Sequence, residues 1–243
     1  MTSPPSPQDK ESTSLAPISR NGRALAAVPG ASTLVMLAEP RSAAAEAYRA
    51  LAANVQFSSG DVQSTIGVTS AAAGEGKSTT VANLAIALAE GGRRVIAIDA
   101  DLRRPGLHTL FGLSNSEGLS NALLEDHAHL PLQDTAAAGV RLLSSGPAVA
   151  NPLDALASRR LDHVLSQARS LADFVLVDTT PAGALADAAV VAPRLGGVLL
   201  VVSAGKTKRD LARRAREQLE RVNANLLGVV LVDVKGDDKL YRY

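Results

Sequence analysis

The chain has 243 residues, 46% of them hydrophobic, enough to build one substantial buried core. Three Phe, three Tyr and no Trp leave that core to Ala, Val, Leu and Ile, a mix suited to helices packed on a buried parallel sheet. The 25 Lys and Arg offset 24 Asp and Glu, so no bulk field draws the chain to nucleic acid or an anionic membrane, and the lack of cysteine excludes disulfides, thiol catalysis and cysteine-ligated metals.

Residues 1–30 hold five Pro and five Ser among scattered charges, a composition that buries too little apolar surface to offset the entropy of ordering it. They are expected to form a disordered tail, and Met1 to Arg20 lacks the apolar centre of a signal peptide. Next comes a short apolar run from Thr33 to Leu37. Ala44, Ala47, Tyr48, Leu51 and Val55 then fall at helical spacing and predict a helix over Pro40–Phe57. Short β-branched runs alternate with helical patterns from there on: strand Thr65–Thr69, helix Ser78–Glu90, strand Arg94–Asp99, strand Val140–Leu143, helix Ser158–Leu171 and strand Phe174–Asp178. Helix Leu185–Val191, strand Val198–Val202, helix Lys208–Val222 and strand Leu227–Val232 complete the order. This alternation predicts an α/β fold, a doubly wound, mainly parallel sheet with helices on both faces. Asp178, Asp187 and Arg194 interrupt the longest apolar stretches, so no membrane span is expected.

The first strand runs through Ser70-Ala71-Ala72-Ala73-Gly74-Glu75-Gly76-Lys77-Ser78-Thr79 directly into a helix. That is a Walker A context, with Ala71 standing where the usual pattern has its first Gly. Gly74 and Gly76 let successive N–H groups curl around phosphate oxygens at a helix N-terminus, Lys77 brings a mobile positive charge, and the Ser78 hydroxyl suits Mg²⁺. Nucleotide contacts are therefore expected from Ala73, Gly74, Glu75, Gly76, Lys77, Ser78 and Thr79. The next strand ends in Asp99-Ala100-Asp101-Leu102-Arg103-Arg104-Pro105. Strand ends border the ligand crevice in such sheets, so both aspartates should face the phosphates, either to hold Mg²⁺ or to accept a proton from an attacking hydroxyl. Which of Asp99 and Asp101 does which stays open. Phe174-Val175-Leu176-Val177-Asp178 is an apolar strand ending in an acid, the Walker B pattern for the metal's water shell. The expected division is thus a tail over 1–30, a P-loop domain over 31–235 and a flexible end over 236–243 that carries Tyr241 and Tyr243.

These motifs together resemble the bacterial tyrosine autokinases that regulate capsular and exopolysaccharide synthesis, across about Val35 to Asp233. Glu46-Ala-Tyr-Arg49, Gly74-Glu-Gly-Lys-Ser-Thr79, Ile98-Asp-Ala-Asp-Leu-Arg-Arg-Pro105 and Asn151-Pro152-Leu153 carry the likeness. The resemblance implies ATP and Mg²⁺ as cofactors and Lys77, Asp99, Asp101 and Asp178 as the catalytic set. It implies Ser78, Asp101 and Asp178 toward the metal, Arg103 toward the nucleotide, and Tyr241 and Tyr243 as phosphoacceptors in trans. It further implies a homo-oligomer assembled through the helix bearing Glu46 and Arg49, although Ala52 replaces the family's second Arg there. A cytoplasmic protein recruited to the inner face of the membrane by a transmembrane, co-polymerase-like activator follows from the same likeness, with no nucleic-acid partner.

Two other functions compete. A partitioning or positioning ATPase shares this fold, but that group places a further Lys five residues before the loop lysine, where this chain has Ala72. A nucleotide-binding regulatory subunit without kinase activity would bind ATP and leave no phosphotyrosine. Lys206 to Arg221 holds seven basic and three acidic residues and reads first as a solvated helix face. His127 and His129 lack further ligands in the sequence, and Tyr48 falls on the packed side of its helix.

Overall fold

The computed structural model of the chain describes residues 34–58, 64–125 and 129–234. The expected tails over 1–30 and 236–243, with Tyr241 and Tyr243, lie outside those residues, as does His127. In chain order the elements begin α1 (Val35–Ala38), α2 (Ala43–Ser58), β1 (Ser64–Ser70), α3 (Lys77–Glu90), β2 (Val95–Asp99), α4 (Leu107–Phe111), α5 (Leu119–Leu124), β3 (Gln133–Asp134) and β4 (Val140–Leu143). They continue with α6 (Pro152–Ala157), α7 (Arg160–Leu171), β5 (Phe174–Asp178), α8 (Asp187–Val191), β6 (Gly197–Ser203), α9 (Arg209–Arg221) and β7 (Leu226–Val232). The strands form one sheet in the order β3-β4-β2-β5-β1-β6-β7, parallel throughout except for the antiparallel edge pair β3–β4.

Side chains alternate along each strand, and the sheet is apolar on both sides. Val68, Ala97, Leu176 and Val201 pack with Val81, Leu84 and Leu88 of α3 and with Ala52 and Val55 of α2. Their strand neighbours Ile98, Val177 and Leu143 turn to the other face, against Leu119 of α5 and Leu161 and Leu165 of α7. Val198 and Leu200 meet Ala215 and Leu219 of α9. Helices therefore cover both faces of a mainly parallel sheet, which is the expected doubly wound architecture.

The predicted strands at Val140–Leu143 and Phe174–Asp178 coincide with β4 and β5. The helix expected over Ser158–Leu171 is α7, which begins two residues later at Arg160, and a further short helix, α6, precedes it across the extended backbone of Ser158. Asn151 caps α6, its side chain accepting the Asp154 N–H, with Pro152 at the first turn, where the ring's fixed φ suits a helix start. No helix among the described residues is long and apolar enough to cross a membrane.

Candidate phosphoryl-transfer site

The turn between β1 and α3 forms the phosphate loop. Gly74 and Gly76 both take the left-handed backbone region, at φ 77° and 80°, and Gly76 caps α3 so that Lys77 is its first helical residue. α3 is fourteen residues long, and the positive end of its dipole opens onto the loop. Two other loops close in around it. A Cβ on Gly183, in the β5–α8 connection, would lie 2.3 Å from the Ala71 carbonyl oxygen, so this approach requires glycine. A Cβ on Gly106, in the β2–α4 connection, would lie 3.4 Å from Ser78 Oγ. The β5–α8 loop is further tied to β1: Thr69 Oγ1 donates to the Thr180 carbonyl at 2.8 Å, and the Thr179 N–H donates to the Val68 carbonyl at 3.0 Å.

The three aspartates converge here with Lys77. Asp99 and Asp178 are register partners at the ends of adjacent strands β2 and β5, and both are fully buried. Their environments differ sharply. Asp99 Oδ2 accepts from the N–H groups of Gly106 and Leu107, each at 2.9 Å, and Oδ1 accepts from the Asp101 N–H at 3.2 Å. Asp101 Oδ1 accepts from the Arg104 N–H at 2.9 Å, while Oδ2 meets Lys77 Nζ at 2.8 Å. Neither Asp178 oxygen has a full hydrogen bond; Lys77 Nζ stands 3.8 Å from Oδ1.

Burial, aided by the neighbouring Asp178 charge, pushes the Asp99 pKa up against the pull of its backbone donors. Burial likewise raises Asp178 to about 6, with Lys77 and the Ser78 hydroxyl opposing the shift. For Lys77, burial works against the charge, but Asp178, Asp101 and Asp99 outweigh it and hold the pKa above its ordinary value.

A buried carboxylate whose two oxygens lack a full hydrogen bond, beside a helix-initial hydroxyl and a left-handed glycine loop, fits a hydrated Mg²⁺ carried in on phosphate oxygens. The described residues contain no group of three or more His, Cys, Asp or Glu that could cage a metal without such a ligand. Arg103, expected at the nucleotide, forms a two-pronged ion pair with Asp187, at 2.6 and 3.0 Å. That pair links the β2–α4 loop to the start of α8. In the sequence Asp187 only interrupts an apolar helical run, but the side chain is buried, and a buried acid demands a partner.

Outside this cluster, Arg49 binds Glu46 at 2.6 Å and Glu90 at 2.9 Å, and Ala52 is buried in the core. On α9, Arg213 pairs with Asp210 and Arg216 with Glu220, as on a solvated helix face. Tyr48 packs against the α3 side of the core. A cavity of about 550 Å³ opens at the far end of the sheet, lined by Arg94, Gly139, Arg141 and Leu171, and includes none of the residues above.

Comparison with known proteins fits this geometry. Residues 61–232 match the family described as ParA, NUBPL iron-transfer P-loop NTPase. Tyrosine-protein kinase YwqD of Bacillus subtilis strain 168 is 38% identical over 200 residues, covering 82% of this chain and 84% of that protein. Among solved structures, the chimerical protein CapA2B2 superposes with a TM-score of 0.78 at 34% identity, over 82% of this chain and 89% of that one. The kinase domain of Escherichia coli tyrosine kinase ETK gives a TM-score of 0.80 at 31% identity, over 84% and 81% of the two chains.

Proposed function

The chain belongs to the bacterial tyrosine-protein kinases and, through residues 61–232, to the ParA-type P-loop NTPases, and on that premise we propose that it transfers phosphate from Mg·ATP to Tyr241 and Tyr243 of a neighbouring copy. It is a protein-tyrosine kinase of the kind that serves capsular and exopolysaccharide synthesis. The observation that carries the mechanism is the convergence of Lys77, Asp101 and Asp178 beside the loop.

Ser78 and Asp178 would hold Mg²⁺, which when bound neutralises charge on the outer phosphates. Loop amides and the α3 N-terminus bind the phosphate oxygens. Lys77 exchanges Asp101 for the γ-phosphate, where its charge counts most in the transition state. That exchange frees Asp101 Oδ2 to accept the proton from the tyrosine hydroxyl as its oxygen bonds to the γ-phosphorus and the bridging oxygen leaves with ADP. Asp99, with three backbone donors, holds the β2–α4 loop that presents Asp101, and Arg103 steadies the same loop through Asp187. A transmembrane activator, recruitment to the cytoplasmic face of the membrane and assembly through the Glu46–Arg49 helix belong to the same proposal.

The test is incubation with ATP, Mg²⁺ and the cytoplasmic tail of a candidate activator, followed by phosphate mapping by mass spectrometry. Label is expected on Tyr241 and Tyr243, and Lys77→Met should lower its rate at least about a hundredfold with the fold intact. ATP binding without label would make the protein a nucleotide-binding regulatory subunit. ATP-driven DNA binding would point to a partitioning ATPase.

A further inference from the structure

Glu75 sits at the tip of the phosphate loop, between Gly74 and Gly76, yet its carboxylate is buried while Ala73 and Gly74 beside it are exposed. Oε2 accepts from the Ala72 N–H at 2.9 Å, and Oε1 accepts from the hydroxyl of Thr207 in the β6–α9 connection. Thr207 Oγ1 is itself fixed, accepting from the Ser203 N–H at 2.9 Å. One side chain thus ties the loop tip back onto its own start and across to the end of β6. The tip is open on its outer side: a Cβ placed on Gly74 would meet nothing within 4 Å, and one on Gly76 would touch only Val232.

The location makes this carboxylate costly, because a negative charge within the anion cradle repels the phosphates the cradle must bind. Its contribution must therefore be geometric. We propose that Glu75 and Thr207 form a clamp that preorganises the phosphate loop, so that Glu75 is a positioning residue for the nucleotide through its side chain. Without the clamp, a loop with two left-handed glycines must be ordered as ATP binds, and that cost appears as weaker affinity. The clamp rests on the reading of this loop as the ATP site.

Three substitutions separate geometry from charge. Glu75→Ala removes clamp and charge together, and Kd for Mg·ADP by calorimetry should rise about tenfold, with KM for ATP rising in parallel and kcat changing less. Glu75→Gln keeps the clamp, its Oε accepting from Ala72 and its amide donating to Thr207 Oγ1, and lacks the repelling charge, so it should bind as tightly as wild type or more tightly. Thr207→Val should weaken binding several-fold, and should add little in a Glu75→Ala background, since partners in one contact are not additive. If charge alone mattered, Glu75→Ala would bind more tightly than wild type. That result overturns the clamp, as would full additivity of Glu75→Ala and Thr207→Val, or a lowered melting temperature with unchanged Kd. Failure of the wild-type chain to bind Mg·ADP at all would instead remove the ATP site itself. Glu75→Gln and Thr207→Val keep the test open if Glu75→Ala does not fold.

Discussion

Asp178 shows what the site costs the fold. An unfolded aspartate titrates near 3.8, whereas burial raises this one to about 6, so between those values the folded chain keeps a proton that the unfolded chain has released. By linkage, stability then falls as pH rises through that interval and stays lower above it. Asp178→Asn cannot lose that proton. The apo protein carrying it should be more stable than wild type by about 3 kcal/mol at about pH 8, and the advantage should shrink to about 0.5 kcal/mol near about pH 4. Chemical denaturation at the two pH values reads the difference. An advantage that is the same at both would mean that the carboxylate is not strained by its burial. The same substitution should abolish Mg²⁺-dependent phosphotransfer, the usual exchange between stability and a prepared polar site.

The loops between elements decide which acid does chemistry. Asp99 and Asp101 look equivalent in the sequence, two strand-terminal carboxylates one residue apart, and only the path of the β2–α4 loop separates them. That loop turns back so that the Gly106 and Leu107 amides reach Asp99, leaving Asp101 beside Lys77. Asp99→Ala should orphan those amides and destabilise the fold by about 1–3 kcal/mol. Asp99→Asn retains an oxygen facing both amides and should recover most of the stability and much of the activity. At Asp101, by contrast, Asn cannot take a proton, and phosphotransfer should fall at least about a hundredfold in a chain that still folds, with some loss of melting temperature because the Lys77 ion pair loses its charge. Equal loss of activity in Asp99→Asn and Asp101→Asn would return Asp99 to the reacting groups.

The same contrast explains what the sequence revealed. Long periodic patterns identified α3, β2, β5 and α9 to within a residue or two, because burial on both sides of a sheet imposes an almost continuous apolar run. The motif spacing predicts Lys77, Asp99, Asp101 and Asp178 at one loop, and all four converge there. What escaped were short pieces and long-range pairings. α4 and α5 have five and six residues, too few for a period to register, and β3 pairs through only two. The Arg103–Asp187 pair and the Glu75–Thr207 contact join residues 84 and 132 positions apart, so no local pattern could announce either.

At the scale of the whole molecule the question is which tyrosine reaches which site. The phosphate loop follows β1, the reacting acids lie on the β5 and β2 side of it, and the chain leaves the sheet on β7, on the opposite side. Four strand spacings separate β7 from β2, whose end carries Asp101, roughly 19 Å. Tyr241 lies seven residues beyond Val234, and seven residues span at most roughly 25 Å. Length alone therefore permits a chain to reach its own acids. The obstacle is what stands between: a direct path crosses the β1–α3 loop, where the proposed site would hold the triphosphate, and a detour around it would use the slack. A neighbouring copy that approaches from the β2 side does not have to cross that loop. Mixing decides the matter. A Lys77→Met chain with both tail tyrosines should acquire phosphate when combined with a catalytically intact Tyr241→Phe/Tyr243→Phe chain, at an initial rate that rises linearly with the concentration of the intact partner. No label on the Lys77→Met chain in that mixture, while the wild-type chain labels itself at a rate per molecule independent of concentration, would establish transfer within one chain and remove the need for assembly through Glu46 and Arg49.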